Sequence, residues 1–334
     1  MSSLTLRSVH AAVVLDPDRG GELQSFTAGD SDNLLFYADW RSPLSVDDGP
    51  VYGSTELDWL SRYQGGWQVL FPNAGAEGVV AGVPVAFHGE TSLARVETLL
   101  VEEDSCTLRA VARLPLELIR TVRMAPDRPA VLLEETVTNL GSRPVPFLWG
   151  HHPTFPAHAG ARIDLAGAAV EVEPATRGPL GTGGGQWPMV TSPDGIPIDL
   201  SVVPPEEQVR LIYLHSLREP WVALRPPAAT GENSQGVALA WDGDTFPAMW
   251  IWLQNGDPGF PWYGRGRMIG LEPQRSWPFD GLTGAIERGQ AIVLEPGECR
   301  ASWVTLTAFG QTDRPVTGVS RAGAVAQADP VTPE

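Results

Sequence analysis

No lysine occurs in the 334-residue sequence: all 23 basic side chains are arginine, and 40 acidic ones bring the formal net charge to −17. Without a lysine amine, a P-loop lysine, a Schiff base to substrate or pyridoxal phosphate, and a lysine general base are excluded. The shortage of positive charge argues against duplex nucleic acid, whose phosphates need a basic face, and against anionic membrane surfaces. Small molecules remain as ligands. Cysteine is nearly as scarce: Cys106 and Cys299 form neither a disulfide framework nor a metal-ligand spacing, as expected in a reducing compartment. No apolar run approaches the ~20 residues of a membrane span. Met1–Leu15 lacks the basic start, apolar centre and small-residue cleavage site of a secretory signal. A cytoplasmic protein is expected.

What is abundant is turn-forming sequence, with 36 glycines and 31 prolines beside 43% hydrophobic residues. A foldable chain so rich in breakers favours short strands over long helices. Strands are predicted over Thr5–Leu15, Ser105–Met124, Ala130–Leu140, Arg162–Glu173, Val237–Trp241, Ala248–Leu253, Ala291–Leu294 and Ala301–Phe309. Helical periodicity is confined to Asp58–Gln68, and Gly178–Gly185 reads as a loop. The class is all-β. No repeat of fixed period and no linker appears, so one domain is expected over residues 1–311, followed by a disordered tail at 312–334.

Three of the six histidines crowd into Trp149-Gly-His-His-Pro-Thr-Phe-Pro-Ala-His158. His151, His152 and His158 with a carboxylate would suit zinc or iron. In an extended backbone, however, His151 and His152 point to opposite faces, which weakens the metal reading. Glu272, in Ile269-Gly-Leu-Glu-Pro-Gln-Arg-Ser-Trp277, follows an apolar run. It is therefore a buried hydrogen-bonded group or a functional one. Gly65-Gly-Trp-Gln-Val-Leu-Phe-Pro-Asn73 and Phe87-His-Gly-Glu90 each place a polar residue near glycine at a strand end.

In their order and spacing, Phe71-Pro-Asn73, His88-Gly89, Gly150 with His152-Pro153 and Phe155, and Gly270-Leu-Glu272-Pro273 resemble the aldose 1-epimerase (galactose mutarotase-like) family. Glu135-Thr-Val-Thr-Asn-Leu140, Phe246-Pro-Ala-Met-Trp-Ile-Trp252 and Leu294-Glu-Pro-Gly-Glu298 support the likeness, which covers residues 5–310. It implies a β-supersandwich of two large curved antiparallel sheets with an open sugar groove. It also implies interconversion of sugar anomers without cofactor or metal, by a monomer or homodimer. Glu272 falls on the family's base, His152 on its acid and His88 on a sugar-orienting histidine. Asn73, Arg62, Phe155, Trp149 and Gln254 are the expected sugar contacts.

Two departures mark a divergent member. Ala74 stands where the family has arginine, with Arg62 as the candidate replacement. The family's substrate-binding aspartate has no clear match, leaving Glu206, Glu207 and Asp242 as candidates. Arg265, Arg267 and Arg275 flank the glutamate segment, where a guanidinium cluster would suit a sugar phosphate. A hexose-6-phosphate 1-epimerase and a carbohydrate-binding protein without turnover are therefore the alternatives.

Overall fold

A computed structural model describes residues 3–41, 53–176, 180, 183–227 and 234–329. Alternation builds the strands: in Leu116–Met124 every second side chain is buried, the period of a sheet with one face in a core. Such strands pair antiparallel into two large sheets. One has twelve strands, in the order Leu4–Arg7, Ala11–Asp16, Glu22–Ala28, Trp67–Leu70, Gly150–Pro156, Arg267–Gln274, Ala248–Asn255, Gln208–His215, Ala169–Val172, Gly185–Gln186, Met189–Thr191 and Pro197–Asp199. The other has eight: Arg162–Asp164, Trp221–Arg225, Gln235–Trp241, Cys299–Gly310, Ala130–Asn139, Leu116–Met124, Ser105–Val111 and Glu97–Val101. Val13, Phe26, Val69, Ile251 and Leu271 of the first join Leu118, Val122, Leu133, Leu239 and Leu306 of the second in one buried cluster.

The outer face of the twelve-stranded sheet is covered too. A second apolar cluster of Ala38, Trp59, Tyr63, Phe87, Trp262 and Met268 lies over it, with Trp59 and Tyr63 brought there by helix α1, Thr55–Arg62, and its C-cap. This explains why Ala248–Asn255 runs Ala-Met-Trp-Ile-Trp-Leu instead of alternating: a strand covered on both faces is apolar on both.

Four expectations are corrected. The helix expected at Asp58–Gln68 starts earlier, where the Ser54 side chain accepts from the Leu57 amide, and ends at Arg62. Gly65 and Gly66, at positive φ, then turn the chain into a strand at Trp67. A second helix, α2 (Gly281–Glu287), was not anticipated, because Gly281 and Gly284 blur its periodicity. The single strand expected over Arg162–Glu173 is two, one in each sheet, with Gly167 at positive φ between them. Finally, the expected tail folds as far as residue 329: Val316–Val319 pairs with Val325–Gln327. Val316 packs on Trp221, Ala223, Ala238 and Ala240, and Arg321 reaches Glu134 at 2.9 Å. Of the expected loop at Gly178–Gly185, residues 178, 179, 181 and 182 lie outside the described residues, and Gly185 opens a short strand.

Candidate active site

Sheet register aligns the chemistry. Gln68 pairs with His152, and Glu272 pairs with Trp250, which pairs with Tyr213. His152 and Glu272 lie midway between the pairs Gly150–Gln274 and Thr154–Gly270, so they are neighbours on adjoining strands. All five side chains share the outer face, because paired residues of antiparallel strands project to the same side. His152 Nε2 comes within 3.4 Å of Glu272 Oε1, with both residues almost fully buried. Two glycines make the room. A Cβ at Gly270, two residues before Glu272, would overlap the Glu272 carboxyl, and one at Gly150 would overlap the Gln274 amide.

Burial sets the electrostatics. Desolvation drives the Glu272 carboxyl well above the usual carboxylate range, against a smaller opposing pull from the Gln274 hydrogen bond at 3.4 Å. Desolvation likewise depresses the His152 imidazole to about 4. Neither charge is welcome alone. Both shifts disfavour separated charges, so a proton shared between Nε2 and Oε1 suits the pair. His88 stands beside it, its ring 5.5 Å from that of His152. It has a positive φ of 56°, a strained conformation that its neighbours must hold in place. Its Nδ1 accepts from the Gly75 amide at 3.1 Å, so its proton sits on Nε2. Burial, then proximity to His152, keeps this ring neutral. Of the aromatic rings touching these histidines, Trp59, Tyr63 and Phe87 are buried, while Trp252 and Phe279 are partly open to solvent.

The family model of DUF4432, a domain of unknown function, matches residues 4–308. The chain belongs to the DUF4432 family. No curated protein sequence matches it. Its fold is galactose mutarotase-like. The Slr1438 protein of Synechocystis sp. PCC 6803 superposes with a TM-score of 0.67 at 17% identity, over 93% of this chain and 96% of that one. A galactose mutarotase related enzyme of Lactobacillus acidophilus gives 0.62 at 18%, over 93% and 99%. A galactose mutarotase-like protein of Lactobacillus casei ATCC 334 gives 0.58 at 18%, over 92% and 100%. At these identities the likeness is one of fold.

The structure brings Glu272, His152 and His88 together and leaves other expected contacts apart from them. Trp149 and Phe155 face the inter-sheet core, being an odd number of residues from His152 along one strand direction. The Trp149 indole donates to Glu135 at 3.0 Å. Asn73 braces loops: its amide hydrogens go to the Ala76 and Ala86 carbonyls, each at 2.8 Å, and its oxygen takes the Leu282 amide proton. Arg62 is buried against its own helix, donating to the Asp58 carbonyl at 3.0 Å. Gln254 shares the face of Trp252 and accepts from the Asp257 amide at 3.2 Å. Arg267 and Arg275 sit at opposite ends of one strand segment, about 26 Å apart at ~3.3 Å per residue, while Arg265 lies over the Trp40 ring. The three make no phosphate cluster. Asp242 holds Thr245 and Ser302, and Glu206 and Glu207 are exposed.

His151 turns inward. Trp67 donates to its Nδ1 at 3.2 Å, and its Nε2 lies 3.3 Å from Glu135, whose other oxygen is 3.9 Å from Arg120. Among the described residues no three His, Cys, Asp or Glu side chains converge as a metal-binding set. A cleft of about 570 Å3 lined by Asp30, Asp32, Phe155, His158 and Gln235 lies away from Glu272. Among the described residues it holds no carboxylate–imidazole contact. Sequence reasoning missed Tyr63, Trp59 and Gln274. Trp59 and Tyr63 stand four apart in a stretch read as helical, a spacing that puts both rings on one face.

Proposed function

We propose that this protein is an aldose 1-epimerase, with Glu272 as base and His152 as acid on the anomeric centre of a sugar. The observation that carries the reading is the 3.4 Å contact between His152 Nε2 and Glu272 Oε1, two almost fully buried groups. Mutarotation removes a proton from the anomeric hydroxyl and delivers one to the ring oxygen. Those two oxygens share one carbon, so the groups serving them must be neighbours. In its ion-pair form the couple supplies both at once: Glu272 takes the hydroxyl proton, His152 protonates the ring oxygen, the C1–O5 bond breaks and C1=O1 forms. Closure on the other face of the aldehyde reverses every transfer. General acid–base assistance of this kind contributes typically about 10²–10⁴-fold. On this reading the Nε2–H of His88 orients the sugar, and Trp252 and Phe279, both partly exposed, offer it apolar ring faces.

NMR exchange spectroscopy of α and β anomers over a panel of neutral, acidic and phosphorylated sugars tests this. Accelerated exchange that disappears in Glu272→Gln is expected. No acceleration with any sugar, or full exchange in Glu272→Gln, overturns it. A second reading, carbohydrate binding without turnover, is favoured by Ala74, which is buried and carries no hydrogen-bonding group where the resemblance puts arginine. Sugar binding that survives both Glu272→Gln and His152→Ala, with no exchange in wild type, would select it.

A further inference from the structure

His152 has a second nitrogen, and what surrounds it has no part in the chemistry above. Thr154, two residues on along the same face, donates its hydroxyl proton to the Gly66 carbonyl at 3.0 Å. Its oxygen is then an acceptor, and it takes the Tyr63 hydroxyl proton at 3.1 Å. A phenol has a single proton. With that proton committed to Thr154, the Tyr63 oxygen can only accept from its remaining polar neighbour, His152 Nδ1, at 3.2 Å. The Tyr63 ring is itself fixed, stacked on Trp59 at 4.3 Å and fully buried.

We infer that Tyr63, backed by Thr154, is a positioning residue that holds His152 with its resident proton on Nδ1, leaving Nε2 as the nitrogen that exchanges protons at Glu272. The catalytic consequence rests on the epimerase reading; the tautomer does not. Nδ1–H stays bound to the Tyr63 oxygen through the whole cycle, and only the Nε2 proton moves. After ring opening, Glu272 carries the hydroxyl proton and His152 is neutral with Nδ1–H still in place. Many histidines are oriented by a carboxylate at this position. A carboxylate would stabilise the imidazolium and make it a poorer acid, whereas a neutral phenol orients the ring without that penalty. In a pocket that already disfavours charge, an uncharged orienting group also avoids burying a second anion.

Nitrogen-15 imidazole spectra of the full chain at neutral pH test the assignment, with the His152 signals identified by their loss in His152→Asn. A protonated Nδ1 and a lone-pair Nε2 are expected in wild type. Tyr63→Phe keeps the ring on Trp59 and removes the acceptor, so Nε2–H should gain population. Thr154→Val frees the Tyr63 proton to turn onto Nδ1 and should convert His152 to Nε2–H, while Thr154→Ser should restore the original form. Nε2–H in wild type, or spectra unchanged in both Tyr63→Phe and Thr154→Val, would overturn the inference; the wild-type spectrum decides even if a variant does not fold. Where wild type exchanges anomers, Tyr63→Phe should lower kcat about tenfold to hundredfold with KM little changed. Absence of exchange in wild type would count against the epimerase reading while the spectra still judge this one.

Discussion

His151 and His152 are adjacent in the chain, each within 3.4 Å of a buried glutamate, yet they build opposite kinds of site. On the inner face, Glu135 has a permanent cation in reach, Arg120, together with the Trp149 indole proton. The Trp67 indole can only donate, so it fixes the His151 proton on Nε2, toward Glu135. The groups around Glu135 come from both sheets. On the outer face no arginine contacts Glu272 or His152 among the described residues, and desolvation pushes both toward neutrality. A cation beside a Glu–His pair makes a fixed ionic brace. Its absence leaves one proton free to move, which is what acid–base chemistry needs.

Exchanging the two glutamates for glutamine should separate these roles most sharply. Glu272→Gln should lower anomer exchange by about 10³-fold with denaturant stability at neutral pH held or raised. Glu135→Gln leaves Arg120 buried without its counter-charge and should lower stability by about 3–5 kcal/mol. Urea unfolding and exchange spectroscopy read the two axes, and coincident losses in both variants would dissolve the distinction. Next comes the pH response. His152, lowered to about 4 in the fold, stays neutral there while the unfolded imidazole gains a proton below about 6.5. This group therefore removes stability as pH falls through that window. Glu272, raised in the fold, acts oppositely, removing stability as pH climbs above the unfolded carboxyl value of about 4.5. Above about 4.5 the two groups therefore pull stability in opposite directions in wild type. Glu272→Gln should unmask the histidine and lose about 3 kcal/mol between pH 6.5 and 4, whereas His152→Asn should lose stability as pH rises from 4.5; flat profiles in both would remove the shared proton. A smaller step is Gly270→Ala, whose methyl displaces the Glu272 carboxyl and should reduce exchange by about 10²-fold, far beyond its effect on the melting temperature. Smallest of all, His158→Ala should change stability by less than about 0.5 kcal/mol and leave exchange intact, since its exposed ring is remote from the pair.

The sequence alone revealed this site unevenly, and strand parity accounts for much of the difference. Glu272 stood out as an acid after an apolar run and His152 as part of a dense histidine cluster, and the structure adds that each follows by two residues a glycine that clears space on the same face. The same period-2 rule, applied from His152, excludes Trp149 and Phe155, which lie on the other face with His151. Reading them as sugar contacts treated nearness along the chain as nearness in space. Asn73 looked like a binding amide because nothing local tells that three loop segments converge on it. Tyr63 was hidden differently: its partners His152 and Thr154 belong to a strand some ninety residues further along the chain, so its role exists only once sheet and helix are assembled. The all-β class was legible from alternation and turn density and the two-sheet sandwich only through the family resemblance, whereas α2 and the closing hairpin, with glycines or no aromatics, carried too little pattern to be seen.

That hairpin has a bearing on how the chain is made. Residues 316–327 cover a face of the eight-stranded sheet formed by Trp221, Ala223, Ala238 and Ala240. Synthesis runs from the N-terminus, so Trp221, Ala223, Ala238 and Ala240 leave the ribosome well before their cover does. During that interval the nascent chain presents bare sheet surface, the kind of transient exposure that invites association between incomplete molecules. Only arrival of the hairpin, clasped by Arg321 to Glu134, ends that vulnerable period.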